Sequence, residues 1–256
     1  MKTNYLIYPL LIIIVFVLLG TSCKKDNPHV SVNNVTNKDT TNTTNTDTSG
    51  TFTDSRDNRF YKWVKIGNQV WMAENLNVGA MVIDHNTGSD HSHQTNNGII
   101  EKYCYDNDVN NCAKYGGLYE WKEMMQYQSS SSVNPSGRQG ICPDGWHLPS
   151  DAEWTELVDY IGGISIAGGK LKEMGAMHWL SPNTGATNET GFSALPGGAR
   201  GSVGTFSNIG YNCSWWSATE GYTEYAWFRN LGFDTSYVGR EWGDMKLGIS
   251  VRCVKD

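Results

Sequence analysis

The alternation of hydrophobic and polar positions near the start of the globular region predicts a β-hairpin. Residues 60–66 (FYKWVKI) and 69–72 (QVWM) are rich in β-branched and aromatic side chains, which favour strands. Gly67 and Asn68 between them are typical of a two-residue turn whose first central residue has a positive φ. We therefore expect the domain to open with this hairpin.

A helix is predicted to begin within residues 149–154 (PSDAEW). Ser150, followed by Glu153 three residues later, is the signature of a capping box, and Asp151 suits the positive end of a helix. Four apolar residues at helical spacing share one face: Trp154, Leu157, Val158 and Ile161. Gly162, followed by a second glycine, ends the helix.

The remaining elements are predicted to be short. A second helix is expected over residues 170–174, stopped by Gly175. Residues 118–125 (LYEWKEMM) indicate a short strand that runs into a helical turn, and residues 126–140 indicate a Ser-rich loop. After Gly191 the chain reads as strands and turns. The predicted strands lie at residues 205–206, 214–219, 225–231, 236–238 and 248–254.

Composition supports one loop-rich domain over residues 52–256. This region holds all ten tryptophans and 26 of the 28 glycines, which favours short strands and ordered loops over a helix bundle. Its length is enough for one hydrophobic core. The formal net charge of the chain is -6 and no dense basic run is present, so no nucleic-acid partner is expected.

The amino-terminal region has the features of an export signal. Lys2 precedes an apolar run over residues 10–19 that is too short to span a bilayer, so residues 1–22 are predicted to be a secretory signal peptide. The small residues before Cys23 resemble a bacterial lipobox, in which the cysteine thiol is acylated. We therefore expect lipid anchoring through Cys23, and Lys24 favours the outer membrane, with the domain at the cell surface or facing the periplasm.

A polar segment separates this anchor from the domain. Of the 28 residues from 24 to 51, 16 are Thr, Asn or Ser, which offers too little apolar surface to offset the ordering of the chain. Residues 23–51 are therefore predicted to be a lipidated, disordered tether.

Eight ordered motifs resemble the Fibrobacter succinogenes major paralogous domain, a family of secreted and lipid-anchored bacterial proteins without an established activity. The motifs are DSRD (54–57), KIGNQVWMAENL (65–76), YGGLYEW (115–121), GICPDGWHLPSDAEW (140–154), GGKLKE (168–173), GFSALPGG (191–198), WWSATE (215–220) and SVRCVKD (250–256). They extend over nearly the whole domain.

A more distant likeness suggests the architecture. Residues 145–154 (GWHLPSDAEW) are similar to the helix-opening motif of formylglycine-generating enzymes, and an early cysteine with one near the C-terminus resembles C-type lectin-like domains. Both families imply a loop-rich α+β fold with two helices beside a twisted antiparallel sheet. This is the fold class that we expect.

Five cysteines follow Cys23, and an exported domain is expected to pair most of them. With one left over, fifteen arrangements of two bridges are conceivable. Cys104 with Cys112 would close a short local loop, and the lectin-like resemblance suggests a bridge from Cys142 to Cys253. Cys213 then stays free, and its alternatives are burial as a small hydrophobic residue or service as a nucleophile or metal ligand.

Two segments contain candidate metal ligands. Asp106, Asp108 and Asn110 place oxygen atoms at alternate positions, as in the opening of a calcium loop, although the glycine and the final glutamate of an EF-hand are missing. The alternative is a solvated turn held between two paired cysteines. His91 and His93 could approach a transition metal from one face of a strand, and the alternative there is a polar loop.

Residues 215–242, in the C-terminal third, include seven tryptophans and tyrosines, which suit stacking on sugar rings or contact with a protein partner. Alternation along strands buries about half of such residues. Tyr222, Tyr237 and Trp242 are expected to be exposed and to contact ligand, because charged or turn-forming residues flank them. His147 is interpreted as a structural hydrogen-bonding residue before the helix.

These patterns favour a non-catalytic outer-membrane or surface lipoprotein whose tethered domain binds an extracellular glycan or a protein partner. The alternatives are an enzyme, either a thiol- or metal-dependent oxidoreductase of the formylglycine-generating type or a hydrolase, and a structural component of a surface assembly. No cofactor other than calcium is expected. Sequence motifs for a nucleophile elbow, a metalloprotease or a phosphate loop are absent.

Overall fold

Short elements predominate, as the glycine-rich and aromatic composition predicts. The computed structural model describes residues 47–83 and 92–256. The strands are β1 (Ser49–Asp54), β2 (Arg59–Ile66), β3 (Gln69–Met72), β4 (Ala80–Met81), β5 (Glu101–Lys102), β6 (Trp146–His147), β7 (Gly197–Arg200), β8 (Phe206–Ile209), β9 (Asn212–Tyr222), β10 (Tyr225–Gly232), β11 (Val238–Asp244) and β12 (Val254–Lys255). The helices are α1 (Val109–Tyr115), α2 (Trp121–Met124), α3 (Asp151–Tyr160) and α4 (Ala167–Leu171).

The predicted hairpin is confirmed as β2 and β3. These strands pair antiparallel, and Gly67 in the turn has a φ of 60°, a backbone conformation that glycine adopts without steric strain. They belong to a five-stranded antiparallel sheet with the strand order β1-β2-β3-β12-β6. Because β12 pairs with both β3 and β6, the C-terminal segment joins the hairpin to the stretch just before α3.

The hairpin is not the first element, because β1 precedes it at the edge of the sheet. Ser49 pairs with Val64, so residues 49–51, which were assigned to the tether, belong to the sheet. Phe52 explains why this polar segment is ordered: its ring stacks on Trp146 with a centroid distance of 4.5 Å. Backbone pairing with β2 is a long-range contact that local composition does not reveal.

The other sheets carry the C-terminal half of the domain. Three antiparallel strands lie in the order β11-β10-β9, while β7 pairs with β8 and the short β4 pairs in parallel with β5. The strand expected at residues 236–238 instead begins at Val238 and continues to Asp244. Residues 248–254 do not form one continuous strand, because only Val254 and Lys255 belong to β12, and Gly248, Ile249 and Ser250 form isolated bridges.

Helix α3 forms as predicted. The Ser150 side chain accepts a hydrogen bond from the backbone of Glu153, and the Glu153 side chain accepts one from the backbone of Ser150, which completes the capping box. Trp154, with Leu157 and Val158, is buried on the apolar face. Gly162 has a φ of 110°, which allows the chain to leave the helix.

The second predicted helix is displaced toward the N-terminus. Helix α4 spans Ala167–Leu171 and ends before Lys172, whose backbone is extended. Gly169 lies in this helix because the chain passes very close to it: a Cβ there would lie 2.2 Å from the carbonyl oxygen of Gly185. Gly168 and Gly169 have a low intrinsic helix propensity, and tertiary packing overrides that local preference.

Two aromatic-rich clusters form most of the core. One contains Trp71, Trp154 and Trp215, with centroid distances of 4.5 Å and 5.8 Å between successive rings, and packs beneath α3. The other surrounds the Cys142–Cys253 disulfide. Over the residues that the structure describes, the fold is therefore α+β, with four helices rather than the two expected and a curled antiparallel sheet. Within the two described ranges, no helix is long and apolar enough to cross a membrane.

Candidate functional site

Three aromatic rings meet at the turn between β9 and β10. The Tyr222 and Trp242 ring centroids lie 4.7 Å apart, Tyr222 and Tyr225 lie 5.0 Å apart, and Tyr225 and Trp242 lie 5.4 Å apart. Tyr222 is 48% exposed and Trp242 is 47% exposed, as the sequence predicted. We refer to Tyr222, Tyr225 and Trp242 as the aromatic cluster.

The strand register continues this aromatic surface toward α3. Trp227 lies directly opposite Trp242, so the two side chains share one face of the sheet. The Arg240 guanidinium lies 3.9 Å from the centre of the Trp227 ring, within range of a cation–π interaction. Arg240 thus covers one face of the Trp227 ring. The aromatic cluster is the part of this aromatic surface that a ligand can reach.

Asp151 holds Arg240 in this position. Its carboxylate accepts hydrogen bonds from Nε and Nη2 of Arg240 at 3.1 Å and 2.8 Å, and from Nη1 of the buried Arg229 at 2.5 Å. Burial alone would raise the pKa of Asp151, but the two arginines outweigh it and hold the pKa below its usual value of 3.8. The first residue of α3 therefore supports the aromatic surface.

Tyr237 is exposed but does not join the aromatic cluster. It precedes β11, whereas Trp242 lies five residues further along, a separation of about 17 Å for an extended strand. The carbonyl oxygen of its neighbour Ser236 accepts a hydrogen bond from the backbone of Gly168 in α4. The structure therefore brings together two of the three predicted contact residues.

A pocket of about 220 Å³, lined mainly by residues with polar side chains, adjoins the same turn. We refer to it as the polar pocket. Glu224, which lies between Tyr222 and Tyr225 in the chain, lines this pocket and forms a salt bridge of 2.9 Å with Lys122. The lining residues are His93, Gln94, Glu120, Lys122, Tyr127, Glu224, Met245 and Lys246.

His93 and Glu120 form a hydrogen-bonded pair in the polar pocket. His93 Nδ1 lies 2.7 Å from Glu120 Oε1, and a carboxylate can only accept, so the neutral ring carries its proton on Nδ1. Nε2 has no hydrogen-bond partner in the part of the chain that the structure describes. Burial and the nearby Glu120 raise the pKa of Tyr103, whose hydroxyl lies 2.8 Å from Glu120. The pocket thus presents an imidazole acceptor beside a buried carboxylate.

Sequence reasoning missed the His93–Glu120 pair. It considered His93 only as a metal ligand with His91, and His91 lies outside the described residues, as does Cys23. Within residues 47–83 and 92–256, no group of three or more His, Cys, Asp or Glu side chains could hold a metal ion. The only signal for this pair in the sequence was the position of Glu120 in the YGGLYEW motif.

The cysteine pairs form two disulfides, Cys104–Cys112 and Cys142–Cys253. Cys213 is free and buried, and burial raises the pKa of its thiol even though two cationic side chains act to lower it. A buried, protonated thiol is a poor nucleophile.

The candidate calcium ligands have structural roles in the turn before α1. Asp108 is the N-cap of α1, and its side chain accepts hydrogen bonds of 2.9 Å from the backbone and the side-chain amide of Asn110. Asp106 lies in a 3₁₀ turn with a φ of 53°. Calcium binding by these three residues stays a prediction.

His147 is a structural hydrogen-bonding residue, as interpreted from the sequence. Its Nε2 lies 2.6 Å from Glu153 and its Nδ1 lies 2.6 Å from Asp256. Burial alone would lower the pKa of His147, but the two carboxylates outweigh it and raise the pKa. Residues 140–154, which we call the signature, therefore join α3 to the C-terminal segment through both this histidine and the Cys142–Cys253 disulfide.

Comparison with known proteins gives a family but no closely similar structure. No curated protein and no solved structure matches the chain. The model of the Fibrobacter succinogenes major domain matches residues 64–255, three quarters of the sequence, which confirms the resemblance drawn from the motifs. The chain therefore belongs to the Fibrobacter succinogenes major domain family.

Proposed function

We propose that this protein is a non-catalytic, lipid-anchored surface protein whose domain binds a glycan on the aromatic cluster. The observation that carries this proposal is the contact among the rings of Tyr222, Tyr225 and Trp242 at a surface where two of them are about half exposed. Clustered exposed aromatic rings mark interaction sites, because their apolar faces otherwise lie against water.

The polar pocket supplies the second half of the proposed site. Sugars present apolar ring faces together with hydroxyl groups, so a binding surface needs aromatic faces next to hydrogen-bonding groups. Glu224 and Lys122 offer an acceptor and a donor beside the aromatic cluster, and His93 offers an acceptor at Nε2. A bound oligosaccharide would stack on the rings and direct hydroxyl groups into the pocket.

The anchoring and the finer fold class are part of this proposal. The apolar run ending at Cys23 supports a signal peptide and an acylated cysteine at the outer membrane. The Cys142–Cys253 disulfide, which links the segment before α3 to the C-terminal region, supports an architecture like that of C-type lectin-like and formylglycine-generating domains.

A glycan array probed with the full-length chain in detergent tests the proposal. We expect binding to at least one glycan class, and a loss of more than tenfold in the double variant Y222A/W242A. The matched control is Tyr160→Ala, which removes an exposed tyrosine from α3, 67% exposed, and leaves the aromatic cluster intact. An array without signal would overturn the glycan proposal and favour a protein partner. A chelator arm tests calcium binding at Asp106, Asp108 and Asn110.

A hydrolase is the second candidate, and the His93–Glu120 pair is the observation that favours it. A carboxylate that orients a histidine leaves Nε2 available as a general base. If the chain cleaves a glycan that it binds, the variant His93→Gln should abolish cleavage and preserve binding. Cleavage that persists in this variant would remove His93 from the proposed chemistry.

A further inference from the structure

A second pocket lies between β2, the segment after β3, and α1, and it shares no lining residue with the pocket beside the aromatic cluster. Its volume is about 240 Å³, roughly that of eight water molecules in the liquid. Four cationic side chains line it, against two carboxylates. The cations are Arg59, Lys62, Lys114 and Arg252, and the carboxylates are Glu74 and Glu173. We refer to this as the basic pocket.

Both carboxylates already have partners. Glu74 accepts a hydrogen bond of 2.9 Å from the backbone of Lys62 and lies 4.0 Å from the Lys62 ammonium group. Glu173 lies 2.8 Å from Nδ1 of His178. Within the described residues, Arg59 and Lys114 form no ion pair. The pocket therefore has an excess of positive charge in a chain whose net charge is -6.

Arg252 forms the buried side of the basic pocket and is 1% exposed. Its Nε donates to Oδ1 of Asn75 at 2.8 Å, and its Nη2 donates to the carbonyl oxygen of Ser193 at 3.1 Å. Its Nη1 donates to the carbonyl oxygens of Met72 and Phe192. All these acceptors are neutral, and among the described residues Arg252 forms no ion pair.

A buried cation without a paired anion is unusual, because taking a charge out of water is costly unless an opposite charge compensates. Burial lowers the pKa of Arg252 to about 9, although Cys213 and Glu74 act in the opposite direction. An anion in the adjoining basic pocket would provide the missing compensation. Four of the five N–H groups of Arg252 donate to these protein acceptors, so among the described residues one N–H of Nη2 remains for an oxygen of a carboxylate, sulfate or phosphate.

We propose that the basic pocket binds a small oxyanion group, with Arg252 beneath it and Arg59 and Lys114 at its rim. This site is separate from the proposed glycan surface, and the inference does not depend on it. The shared chemistry is a carboxylate, sulfate or phosphate group, and the source of that group is an outcome of the test.

The test measures the melting temperature of the full-length chain in detergent with sodium sulfate, sodium phosphate or sodium glucuronate, each against sodium chloride at equal ionic strength. A ligand that binds only the native state raises the melting temperature with concentration. We expect at least one oxyanion to do so, with a dissociation constant on the order of 1 mM for a single small group. The ranking of the three salts shows whether the basic pocket prefers a sulfate, a phosphate or a carboxylate group.

The variant R59Q/K114Q removes two rim charges and keeps polar side chains in place. We expect its apparent affinity for the oxyanion to fall tenfold or more, whereas the matched control Lys65→Gln, an exposed lysine on the same strand as Arg59, keeps the wild-type affinity. The proposal is overturned if no oxyanion exceeds chloride, or if R59Q/K114Q responds like the control. Trp242→Ala should leave anion binding unchanged, so failure of the glycan proposal is recognised separately.

Discussion

Two groups of aromatic residues in this domain differ in how their polar atoms are used. Six buried tryptophans donate their indole N–H to a protein acceptor; they are Trp71, Trp121, Trp154, Trp179, Trp215 and Trp216. In the aromatic cluster, the indole N–H of Trp242 has no hydrogen-bond partner among the described residues. The indole N–H groups of these six tryptophans therefore bind acceptors within the protein. The exposed ring faces of the aromatic cluster and the indole N–H of Trp242 can contact another molecule.

The same difference distinguishes the signature, whose side chains are used within the fold, from the proposed binding surface, whose side chains are exposed. The stretch from Gly140 to Trp154 is dense in residue types that carry chemistry elsewhere, yet its cysteine is in a disulfide and its histidine is held by two carboxylates. Substitutions in the signature should therefore lower stability first. Substitutions in the aromatic cluster should lower binding and leave stability nearly unchanged.

Removing the disulfide beneath the signature should have the largest effect on stability. The Cys142–Cys253 bridge spans 111 residues, and its loss in C142A/C253A should lower the free energy of unfolding by about 4 to 5 kcal/mol, since a long loop constrains the unfolded chain most. The Cys104–Cys112 bridge spans only 8 residues, so C104A/C112A should lose less than about 3 kcal/mol. Urea unfolding of both variants measures the difference, and equal losses would contradict it.

Trp154→Ala should come next, with a loss of about 3 to 5 kcal/mol in the free energy of unfolding. The ring is 1% exposed and packs between Trp71 and Trp215, so truncation leaves a cavity and removes the hydrogen bond from its indole to Trp216. Chemical denaturation followed by circular dichroism measures the loss. A change below 1 kcal/mol would contradict the assignment of this signature residue to the core.

Asp151→Asn should have an intermediate effect of about 1 to 3 kcal/mol at neutral pH, because it leaves the buried Arg229 without its charged partner. The pKa of Asp151 is lower in the folded state, so its contribution to stability is complete above its ordinary value of 3.8 and is lost as the pH falls. The stability gap between wild type and variant should therefore narrow below about pH 4. Asp159→Asn, at an exposed site on α3, is the control, and its free energy of unfolding at neutral pH should stay within about 0.5 kcal/mol of the wild type.

The double variant Y222A/W242A should have the smallest effect on stability, within about 0.5 to 1 kcal/mol, because both rings are already about half exposed. Differential scanning calorimetry beside the wild type gives this value. A loss as large as that of Trp154→Ala would mean that the aromatic cluster is a part of the core.

Local rules explain which parts of the fold the sequence predicted. The capping box of α3 and the turn at Gly67 depend on residues within a few positions of one another. The extent of β1 and the start of α4 depend on contacts with distant segments, such as the close passage of Gly185 against Gly169. Neither contact leaves a periodic pattern in the sequence.

The same distinction applies to the site. The exposure of Tyr222 and Trp242 followed from their polar neighbours, but their contact with each other depends on the pairing of β10 with both β9 and β11. His93 and Glu120 are 27 residues apart, and Arg252 lies 193 residues after Arg59 in the chain, so their meeting in two pockets could only be read from the structure.

The most direct test of the central claim is to follow the indole N–H signals of the ten tryptophans by nuclear magnetic resonance while the full-length chain is titrated with the oligosaccharide that binds best on the array. We expect the Trp242 signal to shift in a saturable way, with a smaller shift of Trp227, and the signals of Trp71, Trp154 and Trp215 to stay in place. Saturable shifts confined to those buried tryptophans, with Trp242 unchanged, would contradict the account.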